Sequence, residues 1–340
     1  MYKKLFCADV LNANVAAFVN VTGLTVANNI DINATNGTGT TTLGGSMTLA
    51  GASDTGVFSG NIRLQDLSAG VSETRTLQLA SSVAATSGTG ITFSGVISEV
   101  DSTALTGDVL SVTKVDNGVA TLTGANTYTG TTNVIGGTLL VNNSTGSGTG
   151  AGSVIVDGGT TLGGTGFIAP AANNSITLNG TFAPGSLGGS SGEDISLAVS
   201  GTGNITFNAG SSFEIFSRVA GANPASANDL ALISAGDWAN VIFGGSSVLN
   251  VIDTTGLSST IWADGDSWQL FDWTGVGGTP PTNGFASLNL PTLSGGLMWD
   301  TSNLYTTGFI VVAVPEPSRV LLVLLGLLGL MARRRRQVGV

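Results

Sequence analysis

The chain has 340 residues, 51 of them glycine, with no histidine and a single cysteine, Cys7. This composition excludes histidine-based catalysis, histidine metal sites and any disulfide within one chain. Residues 5–318 hold all 21 acidic groups against only four bases, Arg63, Arg75, Lys114 and Arg218, a net charge of −17; such a body repels nucleic acid and anionic membranes, so no nucleic-acid partner is expected.

In chain order, the first residues, Met1-Tyr-Lys-Lys-Leu-Phe, carry two lysines and then Cys7, Ala8 and Asp9. A secretory leader needs an apolar stretch of about 7–15 residues, whereas Val15-Ala-Ala-Phe-Val19 is short and framed by Asn14 and Asn20. The expectation is a truncated or misassigned start, with Cys7 an incidental thiol. Residues 1–84 read as an N-terminal β-rich segment.

From residue 85 the chain alternates short apolar pieces with glycine breaks. Strand-like runs are Val119-Ala-Thr-Leu-Thr, Thr132-Asn-Val-Ile and Thr138-Leu-Leu-Val, then Ser153-Val-Ile-Val, Ser175-Ile-Thr-Leu and Asn204-Ile-Thr-Phe. Thr and Val are β-branched and suit a pleated surface, while Gly and Asn supply turns. Hairpins give the same local signature, but starts at 153, 175 and 204 are spaced like the coils of a solenoid. Residues 85–215 are therefore expected to form a β-solenoid, with asparagines stacked in hydrogen-bonded ladders at the turns. With ~22 residues per coil and about 4.8 Å per step, some 300 residues would make a rod of ~65 Å. Residues 216–313 hold all five tryptophans and read as a less regular, aromatic-rich β cap, because open solenoid ends need covering.

The last segment, 314–340, has three parts in order. Pro315-Glu316-Pro317 is followed by the apolar run Val320–Ala332 and then by Arg333, Arg334, Arg335 and Arg336. As a helix the run spans ~20 Å at about 1.5 Å per residue, short for a hydrocarbon core of about 30 Å. The arginines favour the cytoplasmic side, so the run reads as a short C-terminal transmembrane helix with the body outside. The two prolines forbid helix and hold the motif extended.

The tail closely resembles the bacterial PEP-CTERM sorting signal through Pro315, Glu316, Pro317, the apolar run and the arginine cluster. The resemblance implies recognition and cleavage near the motif by an exosortase, transient anchoring in the inner membrane, and a bacterium with an outer membrane, often one making exopolysaccharide. The body resembles the autotransporter-associated β-strand repeat through Lys114, Gly118, Leu122, Gly124, Asn126, Tyr128, Gly130, Thr131, Gly136, Gly137, Thr138 and Leu139. This implies an all-β, right-handed parallel β-helix. Unlike autotransporters, the chain shows no membrane barrel after the repeat, so self-export is not implied.

Thr129-Gly-Thr and Gly163-Gly-Thr-Gly lack the Gly-Lys-Ser/Thr of a phosphate loop and read as coil turns. Asp264 and Asp266, with Asp253 and Asp272, offer oxygen ligands for calcium or a carboxylate pair for glycoside chemistry; solvated loop acids are the commoner reading. Trp262, Trp268 and Trp273 could stack on sugar rings, with core packing favoured. Asn143-Ser-Thr and Asn204-Ile-Thr are glycosylation sequons by pattern, attributed to composition. No catalytic residue, metal site or cofactor is expected. The expected function is a secreted cell-surface or extracellular-matrix structural or adhesive protein, not an enzyme, with exopolysaccharide or neighbouring cells as partners. The alternative is a polysaccharide-binding or carbohydrate-active β-helix.

Overall fold

The computed structural model describes residues 18–20, 23, 25–34, 39–44, 56–66, 74–81, 90–100, 107–185, 194–215, 228–253, 262–280 and 284–315. Cys7, Arg218, Glu316, Pro317, Val320–Ala332 and Arg333–Arg336 lie outside them. Within the described residues the protein is all-β. A single short 3-10 turn, Trp238–Asn240, interrupts the strands, and no helix is long and apolar enough to cross a membrane.

Two long sheets dominate, one of nine strands and one of ten. Neighbours in each sheet are not consecutive in sequence, and every pairing within these two sheets is parallel. The chain alternates between the sheets and returns to each one step further along, an arrangement consistent with a parallel β-helix. Val112, Thr132, Val154, Ile176, Ile205 and Val241 stack in one line of the first sheet, so successive coils take 20, 22, 22, 29 and 36 residues. The strands expected at 153, 175 and 204 are in register with one another. Parallel pairing runs on past residue 215, to Ser287–Asn289.

A third face is strand-built only away from the middle. Ile30–Ala34, Ile62–Asp66 and Ile97–Val100 pair in parallel at one end. Phe167–Ile168, Asp194–Ala198, Leu230–Ala235 and Phe271–Val276 do so towards the other. Ten strands at about 4.8 Å per step make the longer sheet ~43 Å long, less than the ~65 Å expected. Coils of 29 residues and more use up chain without adding steps.

Period-2 alternation explains the core. Three-residue strands such as Val154–Val156, Ile176–Leu178 and Ile205–Phe207 bury their outer two side chains and turn the middle one outward. The inward rows stack Leu77, Val112, Val154, Ile176 and Ile205 in one sheet and Ile91, Ala120, Leu139, Leu162 and Phe182 in the other, all essentially solvent-free. Each large aliphatic or aromatic side chain so buried contributes about 1.5–3 kcal/mol. Like side chains stack on like: Phe58 lies on Phe93 with ring centroids 5.0 Å apart and planes 4° from parallel.

Asparagine rungs form at corners and, at Asn250 and Asn289, within a sheet. Asn29 Oδ1 accepts from Asn61 N, and Asn61 Oδ1 from Val96 N. Asn208 Nδ2 donates to Asn179 Oδ1, and Asn289 Nδ2 to Asn250 Oδ1. Gly137 sits at φ +60°, where a Cβ would collide with the Gly118 carbonyl of the coil before.

The described residues end in an antiparallel sheet of three strands. Phe309–Ala313 is the central strand of three, flanked by Ser267–Gln269 and Met298–Asp300. Behind it Trp262, Trp268 and Trp299 pack edge to face, with centroids 4.9–5.8 Å apart.

Candidate functional site

The repeat residues of the middle coils converge below the surface. Lys114 occupies an inward position, in line with Leu79 and Val134, where aliphatic side chains stand in neighbouring coils. It is fully buried. Its Nζ donates to the carbonyls of Val115, Asp116 (2.8 Å) and Gly136 (3.1 Å). Asp116 holds φ +60°, and this turn aims carbonyls inward instead of pairing them. Burial lowers the lysine to about 8, opposed by the nearby Asp116 charge. All three ammonium donors are used, so Lys114 is a turn-holding cation.

Asn126 substitutes for a strand on the third face. Its Oδ1 accepts from Ile97 N (2.8 Å), and its Nδ2 donates to Gly148 O (2.6 Å). One side chain thus bridges the coil before and the coil after. Tyr128 is buried, and its hydroxyl meets Thr132 Oγ1 at 2.6 Å. Thr132 in turn donates to Thr149 O, which leaves Tyr128 as the donor of that pair. Burial pushes the phenol well above its ordinary range. Sequence reasoning missed Glu99, whose carboxylate accepts from Leu110 N (2.7 Å) and from both Thr129 N (2.8 Å) and Thr129 Oγ1 (3.0 Å). Nothing in its local sequence marks it, because the partner is 30 residues away. Lys114, Asn126 and Tyr128 bind backbone or a core neighbour, while Glu99 ties the half-buried edge of one coil to the exposed Thr129 of the next.

The aspartates do not assemble. Asp266 is buried and accepts from Ala263 N (2.7 Å). Asp264 accepts from Val314 N (3.1 Å) and Asp272 from Thr274 N (2.9 Å). Among the described residues no three acidic or thiol side chains converge on a point that could hold a metal. Trp262, Trp268 and Trp273 are buried, and Trp273 Nε1 donates to Leu304 O at 2.7 Å. The sequon asparagines serve the fold. Asn143 is buried, donates to Thr145 O and Gly146 O, and accepts from Phe167 N. Asn204 Oδ1 accepts from Asn240 Nδ2.

One sequence-predicted site residue, Pro315, stands at the end of the described chain. The central strand stops at Ala313; Val314 is 58% exposed, and Pro315 is exposed beside it. The motif therefore begins two residues after the last strand, on the surface.

A shallow groove of about 600 Å³ lies against Asn250, Ile252, Trp262, Asn289 and Pro291. Among its described lining residues Asp253 is the carboxylate. Compared with known proteins, the chain matches no family model and no curated protein.

Proposed function

We propose that this chain is a non-enzymatic, exported structural or adhesive protein of a bacterial surface or extracellular matrix. Its body is a right-handed parallel β-helix, and its tail is a sorting signal removed by an exosortase at Pro315–Pro317. One observation carries this reading: the buried Lys114 and Asn126 are committed to holding coils together, while the motif starts on the surface two residues after the last described strand. A scaffold of that kind presents outward side chains in register from coil to coil, as in the row Asn133, Ile155, Thr177, Thr206 and Ile242, a repetition suited to many weak contacts with exopolysaccharide or neighbouring cells. In the same reading Val320–Ala332 crosses the inner membrane transiently, and Arg333–Arg336 hold it from the cytoplasmic side.

The test is the carboxyl terminus of the mature protein. Mass spectrometry of the surface-released form should find the last residue near Pro315–Pro317. Mature surface protein that retains Arg333–Arg336 would sink the proposal. A polysaccharide hydrolysis screen should find no turnover; activity removed by Asp264→Ala or Asp266→Ala would replace this reading with a carbohydrate-active one.

A further inference from the structure

We infer that the carboxyl-terminal sheet is a stop that fixes where processing of the tail can reach, and that Asp264 is the positioning residue that sets its outer limit. The inference rests on the sorting reading above for its biological use, but its geometry is independent of it.

A protease binds its substrate as an extended strand and needs several consecutive residues free of other partners. Phe309–Ala313 cannot supply them. It is hydrogen-bonded along both edges, to Ser267–Gln269 on one side and to Met298–Asp300 on the other. Val312 alone donates to Asp266 O at 2.7 Å and accepts from Gly265 N at 2.8 Å. The inward side chains Ile310 and Val312 are solvent-free. At the start of the strand Gly308, at φ +79°, abuts the Phe271 carbonyl so closely that no side chain would fit. Presenting any bond of this strand to an enzyme means opening the whole cap.

The next residue is held differently. Val314 is past the sheet and largely exposed, yet its N–H donates to Asp264 Oδ1 at 3.1 Å. Asp264 is exposed in the turn Ala263–Asp266, whose shape is fixed by the buried Asp266, its Oδ2 accepting from Ala263 N. A single surface hydrogen bond thus extends the held region by one residue beyond the last strand, up to the proline. Removing it frees Val314 and frays the end of the strand without touching the core.

The experiment is limited digestion of the full chain in detergent with a low-specificity protease, mapped by mass spectrometry against time. In the wild type the first cuts should fall after Val314, with 262–313 intact. Asp264→Ala should raise cutting at the Ala313–Val314 bond about fivefold, the size expected for loss of one hydrogen bond. Asp264→Asn keeps an acceptor oxygen and should restore most of the wild-type map. The thermal midpoint should be the same in all three, which separates positioning from stability. Wild-type cuts inside 309–313 as early as those beyond Val314 would overturn the stop, and an unchanged map in Asp264→Ala would overturn the role of Asp264. A mature protein that keeps its arginines would remove the sorting reading and leave this digestion pattern standing.

Discussion

The middle coils and the carboxyl-terminal sheet solve the same problem with opposite materials. Between Val109 and Pro184 the coils are short, the inward side chains are mostly aliphatic, and the corners are tied by buried polar groups: Lys114 on three carbonyls, Asn126 across three coils, Tyr128 on Thr132. Between Trp262 and Ala313 the ties are aromatic, with Trp262, Trp268 and Trp299 in mutual edge contact and Phe271 stacked on Trp273 at 4.6 Å. A repeating coil can reuse a polar ladder because each coil offers the next the same backbone groups. A terminal sheet has no next coil, so large side chains must fill the space instead.

The comparison can be broken first at the aromatic end. Trp268→Ala should cost about 4 kcal/mol, since it opens a large cavity in a solvent-free site. Hydrogen exchange should accelerate in 262–313 and stay slow in 109–183. Equal acceleration in both regions would mean that the two are one cooperative unit.

The polar end comes next. Lys114→Met keeps length and apolar bulk but strands three buried carbonyls, for a loss of about 3 kcal/mol by denaturant titration. The lysine also gives this region a pH signature. Its folded value of about 8 lies below the ordinary lysine value of 10.5, so the unfolded chain holds the extra proton between them. Stability should therefore rise as pH climbs from about 8 towards 10. Above that, Tyr128 acts the other way: its folded value is raised, so the stability it supplies is lost as the unfolded phenol ionises. Lys114→Met should flatten the rise and leave the fall. A rise that persists in the variant would assign it to another group.

The smallest effect sharpens the boundary between the two regions. Asn289→Ala removes the outermost asparagine rung, an exposed bond of 2.8 Å to Asn250, and should cost about 0.5 kcal/mol. A loss several times larger would show that ladder bonds on the surface act cooperatively.

The sequence is most legible where coils are short. Thr132, Val154 and Ile176 recur at 22-residue steps, and the eye finds them. Between Ile205 and Val241 the same stacking spans 36 residues, and the intervening chain hides the period. Tryptophan content points to a packed end, but not to an antiparallel sheet, because the partners Trp268 and Ile310 are far apart in sequence. Of the candidate site, Pro315 is visible as a motif. Its position two residues from the last strand, and the Asp264 contact across 50 residues, come only from the folded chain.

The central placement of Phe309–Ala313 has a mechanical consequence. Tension applied at Val314 by anything fastened to the carboxyl end runs along the strand axis. The hydrogen bonds to Ser267–Gln269 and Met298–Asp300 lie across that axis and are loaded side by side, in shear. An edge strand pulled the same way would be held by one such row of bonds. A strand gripped on both sides must break its bonds together, so this end of the molecule is built to be pulled.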